Sequence, residues 1–274
     1  MRQAIGLVML SLFIFGSLCP AFAEESDGKE RITIIFSDKN PLMKKTYFVR
    51  ATHDVRGIKG VDADSGSGFV FQSDNAVYFI TAAHVVAKGS DDFLGERREF
   101  FFRDYAGTIF AVTPLFSAWN LDLAVFTVSE EAKKYIRPET LTHAIASATI
   151  EEKISTCGFD INNGLPLFPA CLPSTIKAKI SHLDLNHSGF DFTINNIIAV
   201  SPGLEYGFSG GPVFNEKEEL VAVNIATSRG GRFGYLESAL VIKEIIKKYN
   251  EIQKNELGES PPVNFNKKKA GPLL

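Results

Sequence analysis

The sequence predicts an all-β fold built from two β halves and closed by a C-terminal helix. Two observations carry this. Most of the chain divides into short segments rich in Val, Ile, Phe and Tyr, each bounded by Gly, Asp, Asn or Ser. Helical periodicity is sparse until one strong amphipathic pattern near the end, over residues 238–255. Closely spaced strands with few helices between them imply a sandwich or a barrel.

The elements follow in order. Residues 1–23 combine Arg2, an apolar run from Ile5 to Leu18, and Ala21-Phe22-Ala23 ahead of Glu24 and Glu25. A basic start, a short apolar stretch and a small-x-small site make a secretory signal peptide. The run is shorter than the ~20 residues a membrane-spanning helix needs. Leu18 ahead of Cys19 does not fit lipid attachment at that cysteine. Residues 24–50 form an N-terminal segment. The first β half spans 51–128, with strands expected at Gly68–Gln72, Ala76–Ile80, Glu99–Arg103, Thr108–Val112 and Leu123–Val128. A connector follows over 129–152. It opens with a short helix over 129–136, where Ser129 caps and Glu130 and Glu131 occupy the first turn. The second β half spans 153–237, with strands at Asp191–Ile194 and Leu220–Ile225. The helix of 238–257 starts at the capping Ser238. It buries a stripe of Val241, Ile242, Ile245, Ile246, Tyr249 and Ile252. Residues 258–274, with their Pro, Gly and Lys content, read as a disordered tail.

Composition narrows the function. The 274 residues are 45% apolar with a formal charge of −3, and basic residues cluster only at Lys267-Lys268-Lys269. This makes no case for nucleic acid, nor for a membrane once the signal is removed. Export also changes how the cysteines read. Cys19 leaves with the signal, and Cys157 and Cys171 remain as an even pair in an oxidising compartment, which points to a disulfide. The stretch between them contains Asn163-Gly164, as a loop bent back on itself would. Two free buried thiols are the alternative.

The chemistry starts from Gly207-Phe208-Ser209-Gly210-Gly211, which fits G-x-S-x-G. Alone the pattern is weak, because a serine between glycines also makes a tight turn. A nucleophilic serine needs a histidine base and a carboxylate to orient it, and the chain order of the three separates the folds that use them. Histidines stand at 53, 84, 143, 182 and 187, and none follows Ser209. The order with histidine last is therefore excluded. The order His, Asp, Ser fits. Phe79-Ile80-Thr81-Ala82-Ala83-His84 places His84 just after an apolar strand, and Asn120-Leu121-Asp122-Leu123-Ala124-Val125 places Asp122 at the head of another. His182 and His187 do not match a familiar zinc spacing, and no metal is expected.

In this order TAAHV, DLAV and GFSGGP resemble the three signature blocks of the trypsin-like, chymotrypsin-fold serine proteases. SGSGFVF resembles the glycine-containing strand that opens the first barrel in bacterial members. The resemblance spans about 65–227 and is to the bacterial type, similar to the HtrA protease domain. It implies an all-β fold of two six-stranded antiparallel β-barrels with a C-terminal helix. It further implies an exported, periplasmic or secreted serine endopeptidase that acts on polypeptide substrates through an acyl-enzyme and needs no cofactor. Ser209 would be the nucleophile, His84 the base and Asp122 its orienting carboxylate. Gly207 and Ser209 would offer backbone N–H groups to the oxyanion, worth ~3–4 kcal/mol per donor. The primary pocket would be formed by Gly203, Leu204, Glu205, Ile225, Ala226 and Thr227. Gly203 stands where trypsin has an aspartate, so the position favours small or apolar residues before the scissile bond. Glu205 is the nearby acid that would attract a basic residue if it faced inward.

Two departures matter. Digestive members carry an aspartate just before the nucleophile, which pairs with a new amino terminus after zymogen cleavage. Phe208 stands there and cannot form that pair. Only about 65 residues follow Ser209, and the second barrel and helix need them, so no PDZ domain is expected. Two other readings stay open. One is a latent or inactive binding protein of the same fold. The other is an esterase using the same three residues.

Overall fold

The structure, a computed structural model, describes residues 40–55, 58–73, 76–86, 99–160, 169–187, 190–228 and 231–256. The expected signal peptide and C-terminal tail lie outside the described residues, as does Asn163-Gly164. The described elements begin with a short helix α1 (Pro41–Lys44), capped by the Asn40 side chain. Six strands then form the first barrel. They are β1 (Thr46–Val55), β2 (Ile58–Ser73), β3 (Ala76–Ala82), β4 (Glu99–Arg103), β5 (Ile109–Ala118) and β6 (Leu123–Thr127). They run in the order β1-β4-β5-β6-β3-β2, and β1 pairs back to β2 to close the ring. Every pairing in the ring is antiparallel.

The barrel begins at Thr46, ahead of the boundary expected at 51. Tyr47, Val49 and Ala51 alternate inward and are fully buried, as the two-residue period of a strand requires. Of the residues between them, Phe48 is buried against Phe159 of the second barrel and Arg50 is exposed. Inside, Tyr47, Phe79, Phe102, Phe110 and Phe126 form one aromatic core. Phe79 and Phe102 meet edge to face at 5.0 Å between ring centres, a favoured arrangement of ring quadrupoles.

The connector contains more than a linker. Helix α3 (Glu130–Lys133) is capped by Ser129 as expected, and it follows a one-turn helix α2 (Ala83–Val86) that carries His84. Strand β7 (Leu141–Thr142) then adds to β2 in parallel, outside the ring.

The second barrel is formed by β8 (Lys153–Phe159), β9 (Pro169–His187), β10 (Phe190–Ser201), β11 (Pro212–Asn215), β12 (Leu220–Thr227) and β13 (Gly234–Ser238). They close in the order β10-β13-β12-β11-β8-β9. Cys157 and Cys171 are register partners on β8 and β9 and form a disulfide. The chain ends in α4 (Leu240–Glu256). Its Ile242 and Ile246, one turn apart, dock into the layer between the barrels. There they meet Phe71 and Val125 of the first barrel and Phe214 and Leu220 of the second. The architecture is the two-barrel chymotrypsin-like fold with a C-terminal helix, and Ser238, expected to open that helix, ends β13 instead.

The cysteines are 14 residues apart, and a bridge closing such a loop contributes ~3 kcal/mol by limiting the unfolded chain. Replacing both with serine is expected to lower the denaturation free energy by about that amount. Equilibrium denaturation of the two proteins checks it; an unchanged midpoint would contradict it.

Candidate active site

Asp122 is fully buried and is the best-held residue of the site. A 3-10 turn, Trp119–Leu121, ends on it in the left-handed conformation, φ 48°, which aspartate tolerates better than most side chains. Its carbonyl accepts from the Ala83 N–H at 3.0 Å. Its carboxylate accepts from the His84 backbone N–H at 2.9 Å and from His84 Nδ1 at 2.6 Å. The loop before β6 and the helix after β3 are thus locked together by one residue. Trp119 is braced from the second barrel, its ring 5.4 Å from that of Phe192 on β10.

The His84 side chain is 13% exposed. Burial pushes its pKa down, but the charge of Asp122 and the hydrogen bond to it outweigh burial, and Asp64 adds to them. The net effect raises the imidazole above its ordinary value.

Ser209 lies in the turn between β10 and β11. The Ser67 N–H of β2 donates to the Ser209 carbonyl at 2.8 Å. A side chain at Gly66 would run into both that carbonyl and Val85, the neighbour of His84. Strand β2 therefore touches the serine turn and the histidine helix at one point. The Ser209 hydroxyl donates to the Ile225 carbonyl at 3.2 Å. Within the turn, the N–H groups of Phe208, Gly210 and Gly211 donate to Glu205, Asn224 and Phe208 carbonyls. Those of Gly207 and Ser209 have no acceptor among the described residues. Gly210 is required where it is: its φ is +83°, and a side chain would strike Thr81 and the Ser67 carbonyl.

Phe208 is fully buried in the core of the second barrel, with Leu172, Val200, Val213 and Leu236. It packs against β8, where an added Cβ at Gly158 would sit 2.5 Å from its Cγ. An apolar anchor occupies the position of the zymogen-type aspartate.

The six expected pocket residues come together as two adjoining segments. Gly203 N–H donates to the Gly231 carbonyl at 2.9 Å, and the Thr227 hydroxyl to the Phe233 carbonyl at 3.2 Å, so both reach segment 231–233. Leu204 is buried against Gly234. Ile225 is buried with Ile194 and Ile197, and Ala226 is packed beside it. Glu205 is exposed, as is its neighbour Tyr206.

Two further buried residues were not legible as such. Ser67, inside SGSGFVF, is fully buried, and its hydroxyl donates to the Gly207 carbonyl at 2.7 Å while accepting from the Phe159 N–H at 2.7 Å. Its signal was a serine between two glycines that leave room for a close backbone approach. Glu237 of β13 is 1% exposed. Its Oε1 accepts from the Ser238 N–H at 2.9 Å, while Oε2 has no partner among the described residues. Burial pushes its pKa up to about 8, against the Ser238 N–H and with the charge of Asp122 adding. Nothing in a lone Glu between Leu and Ser distinguished it from a surface acid.

Two closed barrels, with β2 of the first touching both the serine turn and the helix that carries His84, make a chymotrypsin-like fold. A family profile described as a trypsin-like peptidase domain matches residues 66–223, more than half of the chain. The chain belongs to the trypsin-like peptidase family. Among solved structures it is similar to the Rv3671c protease from M. tuberculosis in its active form, with 18% identity and a TM-score of 0.55, over 89% of this chain and 97% of that one. It is also similar to the MamO protease domain from Magnetospirillum magneticum, with 17% identity and a TM-score of 0.51, over 74% and 96%. The serine endoprotease from Yersinia pestis aligns at 17% identity and a TM-score of 0.53, over 76% of this chain and 64% of that one. At these identities the structural likeness speaks for the fold alone. Among curated protein sequences none matches.

Glu237 makes stability depend on pH. Its folded pKa, about 8, lies above the ordinary 4.5, so between these values the unfolded chain releases a proton that the fold retains. Burial of this acid therefore costs stability that grows from pH 4.5 to about 8. Glu237→Gln is expected to raise Tm at pH 8 by ~4 °C or more and to leave it unchanged at pH 4. Thermal denaturation at the two pH values checks this; an equal shift at both would contradict it.

Proposed function

We propose that the protein is an exported serine endopeptidase that cleaves polypeptides through Ser209, His84 and Asp122. The observation that carries this most is the 2.6 Å contact between His84 Nδ1 and the buried Asp122 carboxylate. A proton on Nδ1 donating to that carboxylate leaves Nε2 as the basic nitrogen. Nε2 takes the proton of the Ser209 hydroxyl as Oγ attacks the scissile carbonyl carbon. The carbonyl oxygen becomes an oxyanion and is met by the N–H groups of Gly207 and Ser209, which no protein acceptor among the described residues takes up. His84 then passes its proton to the leaving amine. Water repeats the sequence on the acyl-enzyme and frees Ser209.

Two features of the chain support the finer points. The signal-like residues 1–23 and the disulfide favour export into an oxidising compartment. Phe208 in the apolar core favours a protease whose nucleophile turn is set without a new amino terminus, so the protein with its terminus at Glu24 is active. The exposed Glu205 and the absence of a charge at Gly203 favour small or apolar residues before the scissile bond.

A second reading draws on the Ser209 hydroxyl. In donating to the Ile225 carbonyl it is bonded to backbone and not to the imidazole, as in a resting form. The peptidase must turn this hydroxyl toward His84, and a latent protein of the same fold would hold it where it is.

Hydrolysis of casein and of short acyl esters by the mature protein and by Ser209→Ala separates the readings. The proposal expects casein cleavage that falls ~10³-fold or more in the variant, with small or apolar residues before the cut bonds. Ester hydrolysis without casein cleavage would favour the esterase. No Ser209-dependent hydrolysis by folded protein would favour latency, and cuts mainly after Lys or Arg would overturn the pocket assignment.

A further inference from the structure

The peptide planes of the serine turn are held unequally. The Gly207–Phe208 peptide is fixed at both ends, its carbonyl by the Ser67 hydroxyl at 2.7 Å and its N–H by the Glu205 carbonyl at 3.2 Å. The Phe208–Ser209 peptide is fixed through its carbonyl by the Gly211 N–H at 2.9 Å. The Ser209–Gly210 peptide is fixed by Ser67 N–H on one side, at 2.8 Å, and the Asn224 carbonyl on the other, at 2.7 Å. The Tyr206–Gly207 peptide has no hydrogen-bond partner at either end among the described residues. Its N–H is one of the two assigned above to the oxyanion.

That peptide turns about the bonds of Gly207. Glycine has no side chain to restrict them, and Gly207 already sits at φ +97°. The Tyr206 side chain, 76% exposed, offers no packing to hold the peptide from the other end. The nearest restraint is therefore the carbonyl of Gly207 itself. Ser67 is fully buried and its hydroxyl accepts from the Phe159 N–H, so its one proton is directed to Gly207. The backbone of Ser67 is equally committed: its carbonyl accepts from the Thr81 hydroxyl at 2.6 Å.

We infer that Ser67 is a positioning residue for the oxyanion site: its hydroxyl, anchored on β8 through Phe159, latches the Gly207 carbonyl and so keeps the Gly207 N–H facing the substrate. The catalytic part of the inference rests on the peptidase reading; the latch does not. Ser67 touches no reacting atom. Its loss lets the Tyr206–Gly207 peptide rotate, which removes an oxyanion donor for part of the time and leaves the other donor, on Ser209, in place. Loss of one whole donor costs ~10²–10³ in kcat, which bounds the effect from above.

Ser67→Ala in the full mature chain tests it, with two readouts. In kinetics, kcat on a peptide substrate is expected to fall ~10–100-fold with KM within ~3-fold, since the interaction lost is made in the transition state. In 15N NMR, the Gly207 amide of the wild type is expected to give one sharp resonance. In the variant that resonance should shift or broaden by exchange on the μs–ms scale. If Ser67→Ala does not fold, Ser67→Cys, close in size and a weaker donor, takes its place with a smaller change in the same direction. An unchanged Gly207 resonance overturns the latch whether or not the protein is active. A shifted resonance in a protein whose wild type shows no Ser209-dependent activity supports the latch and sinks the peptidase reading. A raised KM with kcat unchanged would assign Ser67 to the barrel seam alone and overturn the inference.

Discussion

A carboxylate removed from water must be met by donors, and Asp122 meets both of its demands through one residue. The His84 backbone N–H takes Oδ1 and the imidazole takes Oδ2. An isolated buried carboxylate would cost several kcal/mol or neutralise itself. Paired in this way, its charge raises the imidazole pKa in spite of burial. The surrounding elements serve this pair. The 3-10 turn gives Asp122 its left-handed backbone, β3 hands the chain to the one-turn helix that carries His84, and Trp119 is propped by Phe192 from the other barrel. Glu237 lies in the same electric field and answers it differently. With no donor for Oε2 among the described residues, it keeps its proton at neutral pH.

The seam between the barrels joins the two halves of the site. The first barrel supplies His84 and Asp122; the second supplies Ser209 and the N–H groups beside it. Ser67 crosses from one to the other through its N–H and hydroxyl, and Phe48 and Phe159 pack edge to face next to it at 5.8 Å. On the far side of the serine turn, Phe208 is anchored over Gly158 in the second core. Digestive proteases of this fold set the same turn with an ion pair that depends on zymogen cleavage. An aromatic ring in a dry core needs no partner charge, and it fixes the turn by packing.

Much of this was legible in the sequence because it rested on residue type and order. The missing histidine after Ser209 excluded one fold. His84 stood after an apolar strand and Asp122 at the head of another, while Ser209 stood in a glycine-flanked turn. The elements that stayed hidden share a physical cause: their pattern is set by tertiary partners. Strand β1 is buried on both faces near its start, Tyr47, Val49 and Ala51 in the first core and Phe48 against Phe159 of the second barrel, so it lacks the alternation of a strand with one wet face. Strands β8, β9, β11 and β13 lack clean apolar runs for similar reasons, and β13 even buries Glu237. Ser67 was visible only as a residue between glycines. Its role lies in partners that are 140 and 92 positions away, a separation no local reading spans.

The central claim is that Ser209 is activated by an imidazole whose basicity Asp122 sets. Its most direct test is the pH dependence of Ser209 labelling by a fluorophosphonate, in the wild type and in Asp122→Asn. The charged imidazole cannot accept the serine proton, so labelling should rise with pH as His84 deprotonates. Its midpoint should lie above the ordinary 6.5, because the folded pKa is raised. Asp122→Asn should slow labelling ~10³-fold or more by removing the charge and the tautomer it enforces. Labelling that is independent of pH, or equally fast in Asp122→Asn, would contradict the account.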